Sequence, residues 1–272
     1  MKTPANPSFN RLSLFGIAAV SLSYSGLLFR KFIASDIIHL GLLVFFGVIL
    51  VYRVNHAFYF NNQLRKNLVH FFSFPLHLLA FLIAIFTGIH YYTYANQMPI
   101  LILIIGGSVG GLYAIPLTIK SKTVRLKNVI FMKNIVIGFV WGTLVIAGAY
   151  PIISRDVLWF FFAVFMQVFM GSVIRDMPDI KSDVNLNINT IPGKYGRKMT
   201  LILLHSTNLL VLLTLFLSNA SFNIQITFYF IFIARAINLI GLAHGSNHIF
   251  WTQFYNLNIC TLIFILFLIF KL

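Results

Sequence analysis

Nine stretches of mostly apolar residues follow one another along the chain, separated by polar connections. About 20 such residues are needed for a helix to cross the hydrocarbon core of a bilayer. The pattern predicts membrane helices over Leu12–Phe29, Ile37–Val54, Phe72–Tyr92, Pro99–Pro116, Val129–Tyr150, Val157–Val173, Met199–Leu217, Phe222–Gly241 and Ile249–Phe270. From Ile259 onward the last stretch holds Cys260, Thr261 and otherwise only Leu, Ile and Phe, and is expected to face lipid. Met1 to Arg11 is polar with two prolines, too polar for a signal peptide, so the first helix is expected to stay as an anchor. Residues 1–272 thus read as one all-α domain, a polytopic membrane bundle of about nine helices.

Composition agrees with this reading and removes the alternatives. The chain is 59% hydrophobic and only 9% charged, with a mean hydropathy of +0.90. A soluble domain carries roughly a quarter charged residues, enough to clothe a globule. Thirty Phe residues and long apolar runs exclude disorder. One Cys, Cys260 within an apolar run, excludes a disulfide scaffold.

Charge gives the bundle its sidedness. Twenty Lys and Arg face five acids, all Asp, for a net charge of +15. Such an excess can mark nucleic-acid binding, but cationic loops beside membrane helices explain it here, and no nucleic-acid partner is expected. The connections after helices 3 and 7 are short and uncharged. Those after helices 2, 4 and 6 carry Arg65 and Lys66; Lys120, Lys122, Arg125 and Lys127; and Arg175, Lys181, Lys194, Arg197 and Lys198. Counting Arg53, Lys133 and Arg235 near helix ends, this side and the N-terminus hold 16 of the 20 basic residues. The positive-inside rule places them in the cytoplasm. A bacterial inner membrane is the expected location.

Three of the five acids fall within eight residues: Asp176, Asp179 and Asp183. The spacing i, i+3, i+7 lies on one helical face, but Pro178 interrupts it. Proline is tolerated in a first helical turn and breaks an interior one. Helix 6 is therefore expected to end near Asp176, with a short new helix carrying Asp179 and Asp183. Crowded carboxylates are relieved by a shared proton, a basic partner or a divalent cation. Oxygen-only ligands favour Mg2+, which commonly bridges carboxylates to substrate phosphates. The plainer alternative is a solvated loop whose acids pair with Arg175 and Lys181.

These residues resemble a known pattern. Asp176, Asp179 and Asp183, then Thr190-Ile-Pro192, then Lys194-Tyr-Gly196, are similar to the second aspartate-rich motif of the UbiA superfamily of intramembrane prenyltransferases. That motif reads D-x-x-D-x-x-x-D, then G, T-L-P and a later G. Asn187 stands where Gly is usual, and Lys181 where an acid is frequent. Tyr113-Ala-Ile-Pro116 through Lys120 resembles the family's Y-x-x-P-P-x-x-x-K segment. The first motif, N-D-x-x-D-x-x-x-D at the end of helix 2, is degenerate. Asn55 matches, but His56, Tyr59 and Gln63 stand where three Asp are expected.

The resemblance implies a nine-helix prenyltransferase that moves an isoprenyl group from an isoprenyl diphosphate to an aromatic, quinone-like or other lipophilic acceptor. Mg2+ and basic residues would stabilise the departing diphosphate. It implies Asp176, Asp179 and Asp183 as catalytic, metal-holding carboxylates. It implies Asn55, Tyr113 and Lys120 as diphosphate-binding residues. With the first motif's carboxylates missing, a single Mg2+ is expected, with Arg65, Lys66, Lys120 and Lys122 taking part of the second metal's role. The alternative is a non-catalytic member of the superfamily that binds a lipid or a partner protein. A small transporter is disfavoured by the absence of acids at membrane centre and of interrupted repeats.

Other polar residues carry weaker signals. Arg235 lies within helix 8, and an intramembrane charge is a functional suspect; reaching a diphosphate and snorkelling to the interface are both open. His244 and His248 share the i, i+4 spacing seen in metal sites, without a third ligand nearby. His56 is a base or phosphate ligand, or a polar residue at the helix–water boundary. His39, His70, His77, His90 and His205 show no metal spacing.

Overall fold

The computed structural model describes residues 9–30, 34–60, 75–94, 97–112, 117–119, 122–124, 129–185, 189–244 and 249–271. Among them the expected helices are all present. They are α1 Phe9–Leu27, α2 Ala34–Phe60, α3 Pro75–Tyr94, α4 Gln97–Leu112, α5 Met132–Ala149 and α6 Arg155–Asp176. A 3-10 turn, Met177–Asp179, leads into the short α7, Ile180–Asn185. Then come α8 Ile191–Leu217, α9 Phe222–Ala243, a π-turn Phe250–Tyr255 and α10 Asn256–Lys271. Five of the apolar segments are long enough to span a membrane by themselves, and four more offer shorter apolar runs within α1 to α4. A two-stranded antiparallel hairpin, β1 Leu117–Ile119 with β2 Lys122–Val124, is a small addition to the all-helical expectation; it pairs Ile119 with Lys122.

Sequential helices pack as antiparallel neighbours, α1 with α2, α2 with α3 and α5 with α6, while α1 also crosses α5 and α10. The crossing of α1 and α5 is made by two glycines. A Cβ on Gly26 would collide with the Val145 carbonyl, and one on Gly148 with the Ser23 carbonyl. Small residues at such crossings allow the backbone approach on which membrane helix packing depends. Arg30 adds a bond from Nε to the Gly148 carbonyl at 3.0 Å.

The bundle is apolar outside and holds polar groups inside. Phe86, Ile104, Leu217 and Phe222 are exposed, whereas Gln167, Asn208, Arg235, Asn238 and Asn256 are buried. The last helix departs from expectation. Ile265 and Ile269 are exposed, but Ile259, Cys260, Ile263 and Phe267 are buried in the core with Phe160 of α6. Lipid and packed protein are equally apolar, so hydropathy does not tell the two faces apart.

Local chemistry fixes the helix ends near Asp176. Ser154 caps α6, its Oγ accepting from the Val157 amide at 3.3 Å. Asp156 in its first turn and Arg175 in its last complement the helix dipole. Thr190 caps α8 by accepting from the Gly193 amide at 3.2 Å, and Pro192 sits in the first turn. These signals start α8 eight residues before the hydropathy boundary at Met199. Gly196 interrupts that early turn with φ of 73°, a conformation that side-chain-bearing residues avoid.

Candidate functional site

The second aspartate segment folds as its proline requires. Helix α6 stops at Asp176, the turn carries Asp179, and α7 carries Asp183. Asp176 and Asp183 are buried, while Asp179 is exposed. The Thr190 hydroxyl, besides capping α8, donates to Asp183 Oδ2 at 3.0 Å. One threonine thus ties the start of α8 to the aspartate segment.

Burial pushes the Asp183 carboxyl above the ordinary carboxylate value. The Thr190 hydrogen bond pulls it back, the Asp176 charge raises it, Lys133 lowers it, and Asp179 raises it again. The three carboxylates therefore share one electrostatic environment. Among the described residues no three of His, Cys, Asp or Glu come close enough to hold one metal ion.

Asp176 has a partner that the sequence reading passed over. Lys133, in the first turn of α5, places Nζ 2.5 Å from Asp176 Oδ1. The Asp176 side chain is 8% exposed and that of Lys133 30%. The other oxygen, Asp176 Oδ2, is buried with no hydrogen-bond partner. Neighbouring Asn134 donates to Ser172 Oγ at 2.7 Å, fastening the same ends of α5 and α6. The signal was available in sidedness: two antiparallel neighbours joined by a short turn place the start of α5 beside the end of α6.

Arg175 turns the other way, toward α1 and α2. Its guanidinium lies 5.2 Å from the centre of the Phe15 ring and 3.4 Å, from Nη1, to the Tyr52 hydroxyl. Phe15 and Tyr52 stack at 4.3 Å. Tyr52 is one turn before Asn55 and His56, which with Tyr59 lie in the last turns of α2. The contact brings the degenerate first-motif helix against the helix that bears the second motif. The alternative in which Arg175 and Lys181 neutralise the acids is not what the geometry shows for Asp176, whose ion pair is with Lys133.

Lys122 stands in β2. Gln63, Arg65, Lys66, Tyr113, Lys120 and His248 lie outside the described residues, as do His70 and Asn187. His244 uses Nδ1 at 2.9 Å from the Ile240 carbonyl, at the end of α9.

Arg235 neither snorkels nor reaches the aspartates. It is 1% exposed and bonds to Gln167 Oε1 at 3.0 Å, Asn238 Oδ1 at 3.1 Å, Asn256 Oδ1 at 2.7 Å and the Gln167 carbonyl at 2.9 Å. Asn256 donates in turn to the Gly171 carbonyl at 2.8 Å. A Cβ on Gly171 would lie 2.7 Å from Asn256 Oδ1, so the glycine makes room for this link. Asn238 donates to the Trp251 carbonyl at 2.8 Å, within the π-turn whose widened backbone leaves carbonyls to satisfy. The cluster joins α6, α9 and α10.

A polytopic helical bundle with an aspartate-bearing turn between two helices defines the class: an integral membrane protein whose clustered acids lie where α6 hands over to α8. The chain belongs to the UbiA prenyltransferase family, whose model matches residues 61–268. Solved structures agree on the fold. A UbiA homologue from Archaeoglobus fulgidus bound to GPP and Mg2+ is 12% identical with a TM-score of 0.69, covering 96% of this chain and 98% of that one. The same organism's homologue bound to DMAPP and Mg2+ is 15% identical with a TM-score of 0.66, covering 96% and 97%. The apo UbiA homologue from Aeropyrum pernix K1 is 16% identical with a TM-score of 0.63, covering 94% and 98%. No curated protein matches the chain in sequence.

Proposed function

We propose that residues 1–272 form one integral-membrane prenyltransferase unit. It takes an isoprenyl diphosphate at the cytoplasmic end of the bundle and passes the isoprenyl group to a lipophilic acceptor. The bacterial inner membrane is its natural location. The observation that carries this reading is the buried, only half-satisfied carboxylate of Asp176, set beside Asp179 and Asp183 in a family whose archaeal homologue is described bound to GPP or DMAPP with Mg2+.

The donor set suits Mg2+, which uses one or two carboxylates and completes its shell with water and substrate phosphate. Asp176, Asp179 and Asp183 are the carboxylates proposed for it. Because no three such groups converge on one point among the described residues, one or two of them would hold it beside water and diphosphate oxygens, and it would supply positive charge to the diphosphate. The protein's own residues supply the rest. Lys133 brings a partly exposed ammonium to the site. Arg65, Lys66, Lys120 and Lys122, with Asn55 and Tyr113, are assigned to the diphosphate. In the reaction the bond between the isoprenyl C1 and the diphosphate oxygen breaks, the acceptor attacks C1, and the acceptor's displaced proton leaves. Fixed cations facing the leaving group lower the barrier because its negative charge grows as the bond breaks.

A second reading is a non-catalytic, ligand-binding family member, favoured by His56, Tyr59 and Gln63 in the first motif. Binding of labelled geranyl diphosphate to the protein in lipid discs tests the proposal. Saturable binding that strengthens with Mg2+ and falls about tenfold or more in Asp179→Ala supports it. Undetectable binding with and without Mg2+ overturns it. Binding without turnover across an acceptor screen selects the second reading.

A further inference from the structure

We infer that Lys133 is the built-in cation of this site: it occupies the Asp176 carboxylate in place of a divalent metal and donates a hydrogen bond to the diphosphate of the substrate. This rests on the isoprenyl diphosphate reading above and specifies how the site compensates for its missing acids.

At 2.5 Å, Lys133 Nζ and Asp176 Oδ1 are in direct contact, and the carboxylate is 8% exposed. Asp176 is therefore charge-balanced without a metal. An ammonium and a doubly charged cation at the same carboxylate repel each other, so Lys133 must leave before a metal binds there with full strength. An ammonium has three hydrogens to donate and Asp176 Oδ1 takes one of them, and the lysine side chain is 30% exposed. A pair shut entirely inside the bundle would not be.

The pair has an anchored base. Asn134, the next residue, bonds Ser172 Oγ across to α6, and the Ser172 hydroxyl is itself held by the Phe169 carbonyl at 2.9 Å. This lock is one turn from Asp176 and fixes the register of α5 on α6. Lys133 is thus carried by a rigid helix start. Its influence extends to Asp183, whose carboxyl lies within reach of the lysine's charge.

The sequence shows what this cation replaces. A diphosphate needs positive charge, which paired metal sites supply through two sets of carboxylates. Here the first set reads His56, Tyr59 and Gln63, and neutral His is a poor ligand for Mg2+. Removing three acids while Lys133 neutralises a fourth shifts the site from metal-borne to lysine-borne charge. The surviving metal contribution then falls to Asp179 and Asp183, with water and the diphosphate completing the shell.

Equilibrium binding of geranyl diphosphate to the protein in lipid discs, in EDTA and in Mg2+, tests this with Lys133→Gln and Lys133→Arg. The wild type is expected to retain measurable affinity in EDTA, and Lys133→Gln to lose about tenfold or more of it. Lys133→Arg should keep most of it. With Asp176 released, Lys133→Gln should respond to Mg2+ more strongly than the wild type. Mn2+ binding followed by electron paramagnetic resonance, without substrate, should be tighter in Lys133→Gln than in the wild type. Tryptophan fluorescence and gel filtration establish that each variant is folded; Lys133→Arg keeps the test alive if the glutamine variant is not. Equal EDTA affinity of Lys133→Gln and wild type overturns the inference. So does an equal ratio of Mg2+ to EDTA affinity in the two. If geranyl diphosphate binds neither protein under either condition, the isoprenyl reading and the diphosphate half of this inference both fall. The Mn2+ comparison still decides whether Lys133 keeps a metal from Asp176.

Discussion

Two cations are fixed in this bundle by different means. Arg235 is 1% exposed, and its guanidinium is held by neutral oxygens of Gln167, Asn238 and Asn256. Lys133 meets a carboxylate, keeps a third of its side chain open, and leaves one buried oxygen of its partner without a hydrogen bond. The first arrangement spends its donors on groups that themselves bond three helices. The second retains donors and an acceptor for something else. Arg235 is satisfied within the fold, whereas the Lys133–Asp176 pair leaves a buried oxygen unsatisfied, the kind of group that calls for a further partner.

The largest effect separates the two by stability. Arg235→Leu strands the side-chain oxygens of Gln167, Asn238 and Asn256 in an apolar interior and should cost about 3–5 kcal/mol. Thermal unfolding in detergent should show it as a large fall in midpoint, with the Mg2+ response of the surviving folded protein unchanged. Arg235→Lys should recover little, because a single ammonium does not span acceptors from α6, α9 and α10. Lys133→Gln, by contrast, should cost less, about 1–2 kcal/mol, since the lysine side chain is 30% exposed and glutamine keeps a hydrogen-bond donor for Asp176, while changing ligand binding strongly. A reversed ranking would break the comparison.

Gly196 gives a smaller and purely conformational effect. Its φ of 73° has open space around it, so Gly196→Ala should destabilise by about 1–2 kcal/mol through backbone strain alone. Calorimetry or chemical unfolding reads it directly.

Asp183 and Thr190 give the smallest stability effect and the sharpest pH dependence. The native Asp183 carboxyl titrates above its unfolded value, so the native state binds more protons in between. Stability should therefore decline as pH rises from the ordinary carboxylate range through the raised native value, and level off above it. Asp183→Asn should remove that slope. Thr190→Val deletes a hydrogen bond that lowers the native value, so the declining limb should extend to higher pH. The lost cap on α8 should cost about 1 kcal/mol besides. Urea titrations of the wild type and both variants across the carboxylate range measure the slopes.

Much of this molecule was legible before its structure. Apolar run length located nine principal helices among the described residues, five of them long enough to span a membrane, because a segment in lipid must satisfy its own backbone. Pro178 located the break after Asp176 for a steric reason that acts within a few residues. What escaped was set by packing between distant segments. Arg235 was visible as an oddity, but its four bonds depend on how α6, α9 and α10 face one another. The half of the last helix from Ile259 onward reads as lipid-facing in sequence because Cys260 and Phe267 are as apolar as what surrounds them. Thr190 was noticed as part of a motif, but its second bond to Asp183 required the fold. In sequence Lys133 is one more basic residue on its side of the membrane. Its sequence distance from Asp176 is 43 residues, which a helical hairpin closes to one contact.

A diphosphate site that is half metal and half lysine, as proposed for this protein, has a countable signature. Counting bound metal tests it most directly. With saturating geranyl diphosphate, Mn2+ titrated into the protein in lipid discs and followed by electron paramagnetic resonance should reach no more than one ion per chain. Two ions per chain, held with comparable affinity, would contradict the account.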